Sequence, residues 1–156
     1  MNETQAGVIE TLQATQQQLT DLLTAVAANQ DWRPAPGQWS FREIAAHLAT
    51  TEKECFQDRL VRICAGGKPH FEYYLNTGWD FSRFELKDSL RDWAVTRREI
   101  IDFVRGLPEE KWLLTGSHQT FGLMTVLDAL KVMRDHDQEH LQELVRMLSA
   151  YNSSSS

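Results

Sequence analysis

Two histidines stand four positions apart in Val132-Met133-Arg134-Asp135-His136-Asp137-Gln138-Glu139-His140-Leu141. On a helix they point the same way, about one turn apart. Met133 lies one turn before His136 and Leu144 one turn after His140, so the pair continues an apolar stripe and faces inward. Every polar nitrogen of a buried imidazole needs a partner. One metal ion satisfies a nitrogen on each ring at once, but such an ion needs a third ligand from another element.

His47 is the candidate for that ligand. It follows Ile44 by one turn, on the side of a helix that also carries Leu48, Thr51 and Cys55. Alone, it reads more readily as a hydrogen-bonded core residue than as a ligand. With His136 and His140 it completes a set of neutral imidazoles suited to Zn, Ni, Cu or Fe, with at least one position open. A set without carboxylate or thiolate leaves the site doubly positive, which acidifies bound water. Three protein ligands and an open position mark a catalytic rather than a structural site.

Other residues enter as supporting candidates. Glu43, Asp137 and Glu143 are each placed to accept the far N–H of a ligand ring, or else to sit in solvent as helix-face carboxylates. His118 reads as a fourth ligand or general acid–base, against a solvated loop residue. His70 lies beside Pro69 in an aromatic-rich connection, where Tyr73, Tyr74 and Trp79 could roof a pocket or simply cover core. Trp39 and Trp93 read as core.

The elements that must position these residues are helical. Val8, Ile9, Leu12, Leu19, Leu22, Leu23 and Val26 give residues 4–29 one inward face. Pro34, Pro36 and Gly37 break that helix, and Ser40 with Glu43 forms a capping box for a second, running to about Cys64. After Gly66, Gly67 and Pro69 comes a connection of about twenty residues, a length that is usually functional or wrapped over a cavity. A third helix covers Phe84 to Arg105, and Gly106 and Pro108 stop it. One short turn around Glu109–Trp112 follows. Thr125, with Asp128 at N3, caps a fourth helix to about Tyr151. No alternation lasts long enough to build a sheet. Four amphipathic helices predict an all-α four-helix bundle in one domain, residues 1–150, with a disordered tail over 151–156. The long second connection leaves open whether the helices simply alternate in direction.

The bulk numbers narrow the function. A chain of 156 residues, 42% apolar and 24% charged, is an ordinary soluble domain. The formal charge of −6 and scattered arginines argue against a nucleic-acid partner. No apolar run approaches the roughly 20 residues that span a bilayer, and the first residues lack a secretory pattern, so the reading is cytoplasmic. Cys55 and Cys64, nine residues apart on one helix, would be about 13 Å apart by rise, too far for a disulfide.

The blocks Trp39-Ser40…Glu43-Ile44-Ala45-Ala46-His47-Leu48 and His136-Asp137…His140-Leu141, preceded by Asp31-Trp32-Arg33-Pro34, resemble those of DinB-like proteins over residues 3–150. That resemblance implies a four-helix bundle, commonly a homodimer. It implies a divalent metal, Zn or Ni foremost, on His47, His136 and His140. Some members of the family are S-transferases or isomerases using bacillithiol or mycothiol, which implies a small-molecule substrate and a low-molecular-weight thiol as partner.

Two functions follow. One is a mononuclear metal enzyme activating water or a thiol, a hydrolase or thiol S-transferase. The other is a non-catalytic module in which the ion ties the second and fourth helices together. A di-iron carboxylate site needs two Glu-x-x-His repeats, and only Asp137-x-x-His140 is present. No nucleophile elbow or phosphate-binding glycine pattern occurs.

Overall fold

Asn2 and Gln5 exchange side-chain and backbone hydrogen bonds around the start of the first helix, α1 (Glu3–Ala25). In this computed structural model, which describes residues 1–154, the second helix begins on a similar device. Ser40 accepts from the Glu43 amide while Glu43 reaches back to Ser40, as the sequence predicts. It runs through α2 (Phe41–Thr51), a π-helical segment (Glu52–Gln57) and α3 (Asp58–Cys64) without leaving helical backbone. The third is α4 (Leu86–Arg105) and the fourth α5 (Val126–Ser154). Thr125 and Asp128 cap α5 reciprocally. Residues 151–154, expected in a disordered tail, continue α5; residues 155–156 lie outside the described residues.

Polar contacts at the bundle ends fix the direction of each helix. Asn29, just past α1, donates to Tyr151 near the end of α5, while the Met1 ammonium meets Glu109 before α5 begins. The first and last helices are therefore parallel. Gln30 accepts from the Leu86 amide and Arg42 donates to the Phe84 carbonyl, so α2 and α4 start together at the opposite pole from the start of α1. The order is up-down-down-up, and residues 65–85 return along the bundle to make it possible.

A small sheet departs from the all-helical expectation. β1 (His70–Phe71) pairs in parallel with β2 (Thr115–His118), which pairs antiparallel with β3 (Gly122–Thr125). Strands of two and four residues are too short to print a period-two pattern, so nothing in the sequence marks them. Gly116 is required there. A Cβ at this position would lie 2.7 Å from the Phe71 ring and 3.0 Å from the Pro69 carbonyl.

The core is divided. One apolar cluster gathers Ile9, Leu12, Phe56, Leu60, Ile63, Val104, Leu130 and Met133. The other gathers Leu19, Leu23, Phe41, Ile44, Leu48, Leu90, Trp93 and Leu144. Each helix passes from one cluster to the other through a polar stretch: Thr15 in α1, Thr51 and Glu52 in the second helix, Thr96 and Arg97 in α4, His136 to His140 in α5. This polar layer across the middle of the bundle holds the site.

Candidate metal centre

His47 is buried on α2, and His136 and His140 are half-buried on α5. The Nε2 atoms of His47 and His136 are 3.1 Å apart, those of His47 and His140 3.0 Å, and those of His136 and His140 3.1 Å. Three nitrogens about 2.0–2.1 Å from one ion stand about 2.9 Å apart at right angles and about 3.3 Å apart in a tetrahedron. The observed triangle falls between these, so the three predicted ligands fit one ion from one side.

The surroundings decide which ring nitrogens carry protons. Asn76 donates its amide N–H groups to Thr51 Oγ1 at 3.0 Å and to Tyr74 Oη at 3.3 Å. Its Oδ1 is therefore the atom 2.6 Å from His47 Nδ1, and that nitrogen must be the donor. His140 Nδ1 donates to Glu143 at 3.1 Å, and this bond holds the Glu143 carboxyl below its usual range. With both rings neutral, His47 and His140 turn bare Nε2 lone pairs toward each other at 3.0 Å, whatever tautomer His136 takes. Lone pair against lone pair is repulsive, and a shared cation removes the conflict.

Burial keeps His47 and His136 neutral. It pulls His47 down to about 4 and His136 to about 2, with neighbouring histidines adding to the effect. The unfolded chain takes up these protons near the ordinary histidine value, about 6.5, while the folded chain resists until pH 4 or below. Folded pKa values depressed in this way give stability that is complete above about pH 6.5 and lost as pH falls. Metal-free protein is expected to lose about 2 kcal/mol per histidine between pH 7 and 5, measured by urea unfolding at each pH. His136→Leu should flatten the slope; an unchanged slope in that variant would refute the assignment.

Of the three carboxylates proposed to steady the rings, only Glu143 does so. Glu43 is spent on the Ser40 cap and on Arg33 at 2.8 Å. Asp137 points away from the histidines and pairs with Arg97 at 2.9 Å. The partner of His47 is instead Asn76, delivered by the long connection, and no helical periodicity reaches a residue there.

A cavity of about 340 Å³ opens on His47 and His136. Tyr73 and Tyr74 line it as expected, together with Phe56, Phe121 and Val132. Trp79 does not line it and packs on Phe81. Trp93 is buried in the core, and the half-buried Trp39 packs against the same apolar cluster with its ring 4.5 Å from that of His47. His70 pairs with Ser117 at 2.9 Å and stays out of the cavity. His118 reaches the cavity but is not part of the nitrogen cluster. Its Nδ1 accepts from the Thr120 and Phe121 amides at 2.9 and 3.2 Å, closing the β2–β3 turn. Its proton therefore sits on Nε2, and burial holds the ring below its usual pKa.

Arg59 and Glu139 also line the cavity. Both lie outside the histidine reading of the sequence, yet Glu139 has a signal in it. His136-Asp137-Gln138-Glu139-His140 is an H-x-x-E-H arrangement, in which a carboxylate next to two helical ligands serves as proton acceptor. The column His47, Thr51, Cys55, Arg59 stays on the cavity wall through the π segment. Its wider turn offsets the drift of about 40° that every fourth residue of an α-helix accumulates.

A family model described as the DinB superfamily matches residues 9–144. No curated protein matches the chain. A solved structure from Bacillus subtilis, YfiT, is similar at 17% sequence identity and a TM-score of 0.81, covering 99% of this chain and 90% of that one. YfiT is described as a probable metal-dependent hydrolase with an unusual four-helix bundle topology. At that identity the likeness shows the fold.

Proposed function

The chain belongs to the DinB superfamily, and from that membership and its own site we propose that it is a metal-dependent enzyme of the hydrolytic type. The observation that carries this reading is the convergence of three Nε2 atoms, within 3.1 Å of each other, at the wall of a cavity. The description of YfiT as a probable metal-dependent hydrolase supports it.

His47, His136 and His140 would hold the ion, zinc or nickel by the chemistry of three imidazoles. A divalent ion there supplies Lewis acidity, which lowers the pKa of a nucleophile in the open position and polarises the group under attack. The protein's residues do the rest. Asn76 and Glu143 lock the Nδ1–H tautomers of His47 and His140, so their Nε2 lone pairs are committed to the ion. Glu139, exposed at the cavity beside His136 and in no ion pair among the described residues, takes the proton of an attacking water on its carboxylate. Phe56, edge-on to His136 at 5.2 Å, and Trp39, packed on His47, limit bulk water around the ligands.

Transfer to a low-molecular-weight thiol is the second reading. The cavity of about 340 Å³ is roughly ten times the ~30 Å³ share of one water, which leaves space for an organic nucleophile beside an electrophile.

The test is turnover of metal-reconstituted protein on a panel of activated esters and amides, and on electrophiles with and without bacillithiol-type thiols. Glu139→Gln is expected to lower kcat for hydrolysis by about a hundredfold with metal content unchanged. Thiol-dependent turnover without hydrolysis would select the second reading. A large loss of thermal stability on chelation, with no turnover of either kind, would leave the ion as a structural tie between helices.

A further inference from the structure

We propose that the cavity takes a small organic anion, a carboxylate or phosphate on an apolar body, and that Arg59 with His118 is its anion-recognition end. The proposal deepens the reading above and rests on it only for which end of the ligand reacts.

Arg59 is a guanidinium in an unusual situation. It is 7% exposed on α3 and lines the cavity. Among the described residues its one hydrogen bond is from Nη2 to the Glu72 carbonyl at 3.1 Å, and no carboxylate lies within ion-pair distance. Arg97, the other buried arginine among the described residues, is met by two carboxylates. A buried cation without a counter-ion is costly. Three acids that share a pocket lining with Arg59 are engaged elsewhere: Glu54 accepts from Tyr74, Asp58 pairs with Arg62 at 3.5 Å, and Asp135 pairs with Arg134 at 3.0 Å. The N–H groups that remain on Arg59 belong to a cavity-lining side chain.

His118 adds a second donor at the same end. The Arg59 guanidinium lies over the Phe71 ring at 5.6 Å, and the β1–β2 register puts Phe71 beside His118. With Nδ1 of His118 held by two turn amides, Nε2–H is its free donor. A planar fork beside an N–H donor suits a carboxylate or phosphate oxygen pair. Phe56, which meets His136, Tyr73 and Phe121, which meet His118, and Val132 give the same cavity apolar wall. Glu139 and Asp135 lie on α5 at the His136 side, which disfavours a second negative charge on the ligand there. An anionic head with an uncharged reacting end meets both halves.

The test is calorimetric titration of phenylacetate, phenylphosphonate and the neutral phenylacetamide into zinc-loaded and metal-free protein. At least one anion is expected to bind at least about tenfold more tightly than the amide in both forms, and the better of the two identifies the head group. Arg59→Gln should erase that preference and leave amide affinity and metal content unchanged. Arg59→Lys, which keeps the buried charge should the glutamine variant fold poorly, should weaken anion binding several-fold. Equal affinity for anions and amide would overturn the proposal, as would a preference that survives Arg59→Gln. A preference seen only with zinc would place the anion on the metal and overturn it too. Because the metal-free arm reads Arg59 alone, a chain that takes up no metal would sink the enzymatic reading without deciding this one.

Discussion

Replacing His47 with alanine is expected to abolish stoichiometric metal uptake, lowering divalent-ion affinity by more than about a hundredfold. Loss of an outer hydrogen-bond partner commonly costs ten- to hundredfold, and His47 supplies a donor atom itself. Its Nε2 stands 3.1 and 3.0 Å from those of the α5 pair, so removal leaves two imidazoles on one helix and no tie to α2. His140→Ala should behave alike. The control is His70→Ala: that ring is exposed, bonded to Ser117 and absent from the cluster. Elemental analysis after exhaustive desalting, followed by competition against a zinc chelator, distinguishes the three variants. About one ion per chain in wild type and His70→Ala, and none in His47→Ala, is the expected result. Equal retention by all three would refute the site. Metal should also raise the unfolding midpoint of the wild type and not of His47→Ala, because an ion that binds only the folded chain stabilises it by mass action.

The parts of this site that the sequence discloses are those written in helical periodicity. His136 and His140 continue the stripe of Met133 and Leu144, and His47 that of Ile44 and Leu48; all four neighbours are buried in the core. The caps at Ser40–Glu43 and Thr125–Asp128 are local chemistry and form as their residue types require. What the sequence does not disclose depends on returning chain. Asn76 sits in a connection with no period, and its role exists only because residues 65–85 run back along the bundle to His47. The same path pairs β1 with β2, brings Phe71 beside His118 and puts Arg59 in the cavity wall. Asp137 shows the limit most plainly. Sequence spacing offers it to a histidine, but one position along α5 from His136 turns it into the bundle, where a cation on another helix claims it. Spacing tells which residues share a face, not which partner waits opposite.

That cation, Arg97, makes the second large prediction. It lies on α4 and donates to Glu52 from the second helix, to Asp137 from α5 at 2.9 and 3.2 Å, and to the Leu12 carbonyl of α1 at 2.9 Å. One guanidinium therefore touches all four helices at the polar layer, with its face against Trp93 at 5.2 Å. Arg97, Glu52 and Asp137 are each 1% exposed. Burial pushes Asp137 up to about 6 even against Arg97, and the Glu52 carboxylate pushes the same way. Arg97→Met removes the only counter-charge the two acids share among the described residues. Breaking a buried pair from one side costs roughly 3–5 kcal/mol, which at this chain length lowers the melting temperature by roughly 6–20 °C. Calorimetry on metal-free protein reads that loss directly. Replacing all three residues with apolar ones of similar volume is expected to recover most of it, since a well-packed apolar layer is often as stable as a buried ion pair. The recovered variant should still bind metal about ten- to hundredfold more weakly. His136 precedes Asp137, and His47 lies five positions before Glu52 on the same helical rod, so the clamp sets how α2 and α5 present their ligands. If the apolar variant kept full metal affinity, the clamp would be a matter of stability alone. If it lost affinity while melting like wild type, the polar layer serves the metal site at the expense of a simpler core.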